Sequence, residues 1–121
     1  MINNADEFVK QLIEAWNSHD LQKILYHYSD DCELMSPYIN KLLGIKEGVL
    51  KGKGKIGEFW KMILGKLPEL RLEMFDIAVC VNSLAIYYSL SGRKIIEIMF
   101  LNDSGKINRV YVHYTEINVK E

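Results

Sequence analysis

The chain has 121 residues, 49% of them apolar, and its 15 basic and 16 acidic side chains nearly cancel. A single domain over residues 1–121 with one core is expected, burying about two thirds of the surface that the unfolded chain exposes. Near-neutrality excludes a chain-wide field that would steer nucleic acid or an anionic membrane toward the protein, and no apolar run reaches the roughly 20 residues of a bilayer span.

Phe8, Val9, Leu12, Ile13 and Trp16 recur at spacings of three and four, which predicts a helix beginning near Asn4, a residue suited to capping. Asp20 opens a second helix with Leu21, Ile24, Leu25 and Tyr28 on its apolar side, so two helices meet at 17–19. Residues 32–36 alternate weakly and stop at Pro37, which lacks an N–H, so an edge strand ending there is expected, followed by a loop over 38–53. Ile56, Phe59, Trp60, Ile63 and Leu64 predict a third helix, and Pro68 closes the connection after it.

From residue 71 onward, runs of Val, Ile, Tyr and Phe predict strands near 70–80, 84–90, 93–101 and 106–115, with hairpin turns at 81–83, 91–92 and 102–105. Helices first and strands later give a segregated α+β domain, three helices on a mainly antiparallel sheet. A two-residue turn at Ser91-Gly92 sets Leu90 against Arg93, Tyr88 against Ile95 and Ile86 against Glu97. A four-residue loop at 102–105 sets Leu101 against Lys106, Asn108 against Met99 and Val110 against Glu97. One sheet face then carries Ile86, Tyr88, Ile95, Glu97, Met99 and Asn108, and the other carries Ala85, Tyr87, Ile96, Ile98, Phe100 and Tyr111.

Glu97 is the polar residue on the first face that demands an explanation. Flanked by Ile96 and Ile98, its carboxylate is costly to desolvate, so its proton is expected to be held more tightly than usual, with Tyr88 and Asn108 near enough to hydrogen-bond it. If the register slips, Glu97 instead lies on the surface and pairs with Arg93 or Lys94. An apolar cavity with a few converging polar groups suits a small apolar or aromatic ligand. The apolar stripe of Ile96, Ile98 and Phe100 on the second face requires a cover.

The segment from Trp16 through Pro37, the turn Gly92-Arg93-Lys94 and the turn Asp103-Ser104-Gly105-Lys106 carry a resemblance over nearly the whole chain. It resembles the SnoaL-like and ketosteroid-isomerase-like members of the nuclear transport factor 2-like superfamily. The resemblance implies a cone-shaped cystatin-like roll with a pocket between three helices and a curved sheet, and a homodimer paired through the outer sheet face. It implies that Ser36 stands where ketosteroid isomerases carry their aspartate base, and Leu12 where a tyrosine supplies half of the oxyanion hole. Glu97 takes the place of their protonated aspartate. Steroid-type isomerisation with the usual residues is disfavoured, because neither Ser36 nor Leu12 can replace the missing group.

The expected site is therefore Glu97 as the acid or base, with Trp16, Ser36, Trp60, Tyr88, Met99 and Asn108 around a small apolar or aromatic ligand. A non-catalytic dimeric interaction module, its cavity filled by side chains, and an isomerase with altered residues are the alternatives. His19, His27 and His113 are dispersed, so no metal and no cofactor are expected. The lysines at 46, 51, 53, 55, 61 and 66 read as a solvated face, and Gly52-Lys53-Gly54-Lys55 lacks the spacing of a phosphate-binding loop. Cys32 and Cys80 read as buried reduced thiols, and the first residues show no basic region followed by an apolar core, so a cytoplasmic location is expected.

Overall fold

A computed structural model of the chain describes residues 4–115. In chain order it contains α1 (Ala5–Asn17), α2 (Leu21–Leu25), β1 (Tyr28–Met35), α3 (Pro37–Leu43), β2 (Val49–Lys51), α4 (Lys53–Lys66), β3 (Leu72–Val79), β4 (Ser83–Leu90), β5 (Arg93–Leu101) and β6 (Ile107–Tyr114). The strands form one sheet in the order β2-β1-β6-β5-β4-β3, antiparallel throughout except for the parallel β1–β6 pair. This is an α+β domain with a curved, mainly antiparallel sheet. No helix among the described residues is long and apolar enough to cross a membrane.

The core lies between the helices and the concave side of the sheet. Val9 and Leu12 of α1, Ile24 of α2 and Ile56 of α4 are buried with Leu84, Ile86, Ile95, Met99 and Val110 of the strands. The periodicity that predicts α1 and α4 is the periodicity of burial. Gly57 lets α4 approach α2, since a Cβ there would lie 3.1 Å from Leu25 Cδ1. Asp20 caps α2 by accepting from the Lys23 N–H. Asn4 precedes α1 as expected but is left-handed and makes no side-chain cap bond.

Four expectations in the first half are corrected. Pro37 does not end an edge strand; it occupies the first turn of α3, where its missing N–H costs nothing, and the Ser36 hydroxyl accepts from the Tyr38 N–H as the cap. The supposed loop over 38–53 thus holds α3 and β2, and β2 pairs with β1, which places β1 inside the sheet. There are four helices among the described residues rather than three. Tyr28 begins β1 instead of closing α2 and is 2% exposed.

The β4–β5 register is as the two-residue turn requires, with Ser91 and Gly92 both at positive φ, Leu90 opposite Arg93 and Ile86 opposite Glu97. The β5–β6 register differs. The Asn102 side chain accepts from the Ser104 and Lys106 N–H groups, which draws Lys106 into the loop, and Leu101 pairs with Ile107. A bulge then takes up Asn108, so Val110 faces Met99 and Val112 faces Glu97. The ladder moves by two residues relative to expectation at these pairs, which leaves the inward and outward sets of β6 intact.

At the other border of the sheet, Asn17 acts as a substitute strand for β3. Its Oδ1 accepts from the Leu72 N–H at 2.7 Å and its Nδ2 donates to the Leu72 carbonyl at 3.0 Å. His19 Nε2 lies 2.8 Å from the Leu70 carbonyl, beside that clamp. The helix break at 17–19 is thereby tied to the start of β3. Asn17→Ala strands two backbone groups, and we expect it to lower the unfolding free energy by about 2 kcal/mol in urea titration. An unchanged midpoint would mean that water replaces both bonds without cost.

Candidate ligand-binding and acid–base site

A cavity of about 270 Å³ opens between α1, α3 and α4 and the concave sheet face. Phe59, Trp60 and Ile63 of α4 form one wall, and Trp16 of α1 meets Trp60 edge to face at 5.2 Å. Leu34, Leu72, Leu90, Ile95 and Val112 form the opposite, sheet wall. Leu42 and Leu67 line the same cavity yet are 43% and 41% exposed, which makes them its rim. The polar lining is short: Ser36, Tyr38, Lys66, Tyr88, Arg93, Glu97 and Tyr114.

Glu97 is 9% exposed and projects from β5 into this chamber. The Tyr88 hydroxyl, two pairs along the β4–β5 ladder on the same face, donates to its Oε2. Burial raises the Glu97 pKa from 4.5 to about 7, with the Tyr88 bond pulling the other way. Burial and the neighbouring Glu97 both push the Tyr88 phenol well above its ordinary value, so it remains a proton donor. A carboxyl held near neutrality can give or take a proton with little driving force in either direction, which is the property that general acid–base catalysis needs.

A second polar group sits at the start of β5. The Arg93 guanidinium lies over the rings of Tyr38 and Tyr114, 5.0 and 5.1 Å from their centroids, and those rings meet edge to face at 4.9 Å. Burial and Glu97 raise the Tyr114 phenol, opposed by Arg93 and by a hydrogen bond with the Ser36 side chain. Ser36 itself is 5% exposed and fixed from two sides, its N–H donating to the Gly48 carbonyl at 2.9 Å and its Oγ accepting from the Tyr38 N–H at 3.2 Å. Gly48 has φ +67°, and a Cβ there would lie 3.0 Å from the Ser36 carbonyl oxygen, so the turn that carries Ser36 needs glycine.

Of the residues expected from the sequence, the cavity brings together Trp16, Ser36, Trp60, Tyr88 and Glu97. Met99 is 1% exposed in the core and is not in the lining, and Asn108 is the bulged residue of β6, also outside it, its Oδ1 buried without a hydrogen-bond partner among the described residues. Arg93 and Tyr114 go unrecognised as site residues, although the alternation through Ile95 and Val112 puts them on the same face. Tyr38 had no such signal because α3 reads as loop. Tyr28 lies in the core against Trp60 at 4.7 Å, and its hydroxyl also lacks a partner. Leu12 is 2% exposed and not part of the lining. Cys32 is buried, but Cys80 is exposed in the β3–β4 turn, contrary to expectation. Among the described residues, no three His, Cys, Asp or Glu side chains gather to hold a metal ion.

The family model for the SnoaL-like domain matches residues 9–116. The chain belongs to the SnoaL-like domain family. A SnoaL-like protein of unknown function from Burkholderia thailandensis E264 is 35% identical, with a TM-score of 0.89 over 92% of this chain and 93% of that one. A nuclear transport factor 2-like protein of unknown function from Cytophaga hutchinsonii is 12% identical, with a TM-score of 0.72 over 94% and 92% of the two chains. A protein of unknown function with a cystatin-like fold from Methylobium petroleophilum PM1, also 12% identical, has a TM-score of 0.75 over 95% and 78%. The last two share the fold. No protein of curated function matches the chain.

The buried carboxyl of this SnoaL-like domain sets a pH dependence whose sign is fixed. Held at about 7 in the folded state and released to 4.5 on unfolding, Glu97 binds a proton more tightly when folded. Its contribution therefore disfavours the native state as pH rises from 4.5 through about 7, by up to about 3 kcal/mol, and is flat below and above that window. Glu97→Gln is neutral at every pH and is expected to gain that amount relative to wild type between pH 4.5 and 8 in urea unfolding. A pH-independent difference would put the carboxyl in water.

Proposed function

We propose that this SnoaL-like domain binds a small apolar or aromatic molecule between its helices and sheet and moves a proton on it with Glu97. The observation that carries this reading is the Glu97 carboxyl, buried in a mainly apolar chamber and met by one phenol donor. With a pKa of about 7 it serves as acid below neutrality and as base above it, which fits an isomerisation, cyclisation or hydrolysis. The open volume favours a ligand over an interaction module whose chamber is filled by its own side chains.

A steroid isomerase with altered residues is the less favoured reading. Ser36 offers a hydroxyl where a carboxylate base is needed, and Leu12 is core. An apolar cavity of about 150 Å³ takes one benzene ring, so about 270 Å³ fits one or two rings better than four. Both cysteines are free thiols, one of them exposed, which supports a cytoplasmic location.

A thermal-shift panel of one- and two-ring compounds tests the ligand. A binder at about 100 times its dissociation constant stabilises the fold by about 2.7 kcal/mol. Once a turned-over compound is found, Glu97→Gln is expected to stay folded, melting no lower than wild type, and to lose at least about a hundredfold in kcat. Silence across the panel, or a fully active Gln variant, would overturn the reading.

We also propose that a second copy covers the convex sheet face. Ile96 is 39% and Phe75 49% exposed there; Phe75 packs on Tyr87, and Phe100 on Tyr111. A twofold pairing would bury this patch against itself, with Arg109, which lies 4.6 Å from the Phe100 ring centroid, toward its rim. Sedimentation at micromolar concentration is expected to give a dimer and Ile98→Glu a monomer; a monomeric wild type would refute it.

A further inference from the structure

Among the described residues, Arg93 is a cation without an anion. Its guanidinium lines the cavity and lies against the paired Tyr38 and Tyr114 rings, yet among the described residues it makes no ion pair, and its N–H groups meet no acceptor. Aromatic faces hold the plane of a guanidinium while leaving its in-plane donors free for a carboxylate. Lys66, at the end of α4, adds a second positive charge to the lining. Glu97 sits four residues along β5, about 13 Å away at the backbone, with Ile95 between them on the same face. The chamber thus has a cationic end, an apolar middle and an acid–base end.

We infer that the ligand is a one- or two-ring apolar acid whose carboxylate pairs with Arg93, its rings lying against Trp60 and Phe59 and its far end reaching Glu97 and Tyr88. The hydroxyls of Ser36 and Tyr114, both in the cavity lining, complete the receptor for the anionic group. This assignment rests on the proposed ligand-binding role of the cavity and adds the chemical class of the ligand.

Isothermal titration calorimetry with 2-naphthoate and its neutral counterpart 2-naphthalenemethanol at pH 6 tests it. Wild type is expected to bind the acid at least tenfold more tightly than the alcohol. Arg93→Gln should abolish that preference while leaving the alcohol's affinity unchanged, and Arg93→Lys should retain part of it. Glu97→Gln should keep the preference, which separates the anion receptor from the acid–base group. Equal affinities in wild type, or a preference that survives Arg93→Gln, overturns the assignment and leaves the aromatic pocket standing. Binding of neither probe overturns both. If Arg93→Gln does not fold, the wild-type comparison and Arg93→Lys still decide the matter.

Discussion

A carboxyl group taken out of water is the constraint around which this domain is arranged. Among the described residues Glu97 has one hydrogen-bond partner, the Tyr88 hydroxyl, with the Tyr28 and Tyr114 phenols also close enough to feel its charge. Such a group persists in a native fold only if the surrounding structure tolerates its cost, and that cost is carried by the sheet ladder on one side and the α4 wall on the other. The two-residue turn at Ser91-Gly92 matters for this reason. By fixing Leu90 against Arg93 it fixes Ile86 against Glu97, and with that the direction in which the carboxyl points.

The helical layer supplies the rest of the enclosure through a few specific ties rather than through length. Ser36 caps α3 and is fastened to Gly48, so one small residue links β1, α3 and the segment before β2. Asn17 and His19 fasten the end of α1 to the start of β3, which brings Trp16 over the chamber and Leu72 into its wall. Glu97 and Arg93 share β5, so their separation is set by strand geometry and not by loop conformation.

Most of the fold was legible in the sequence because its signals are local. Helical periodicity in α1 and α4, the Asp20 cap and the turn at 91–92 each depend on residues close in the chain. What stayed hidden depended on residues whose chemistry admits two outcomes. Ser36-Pro37 reads equally as a strand end or a helix start, and only the packing of Ile39 into the core decides for α3. The Asn102 side chain captured two N–H groups and lengthened a loop by one residue, and Asn108 was then absorbed in a bulge, which removed it from the site. Glu97, Tyr88 and the two tryptophans were recoverable from alternation and helical spacing. Arg93 and Tyr114 were recoverable on the same grounds, but an arginine beside a turn reads as solvent-facing until the ring pair it lies against is seen.

The amide that stands in for a strand also governs how copies of the chain can meet along their borders. An open sheet border is a template for fibril-like growth wherever a regular row of unpaired backbone groups is on offer. On β3 that row is interrupted: Leu72 is already engaged by Asn17, a register break follows between Met74 and Asp76, and Asp76 turns its carboxylate back onto the Ile77 N–H. On the opposite border β2 runs for only three residues. Strand-by-strand accretion between copies therefore finds no long purchase on either border.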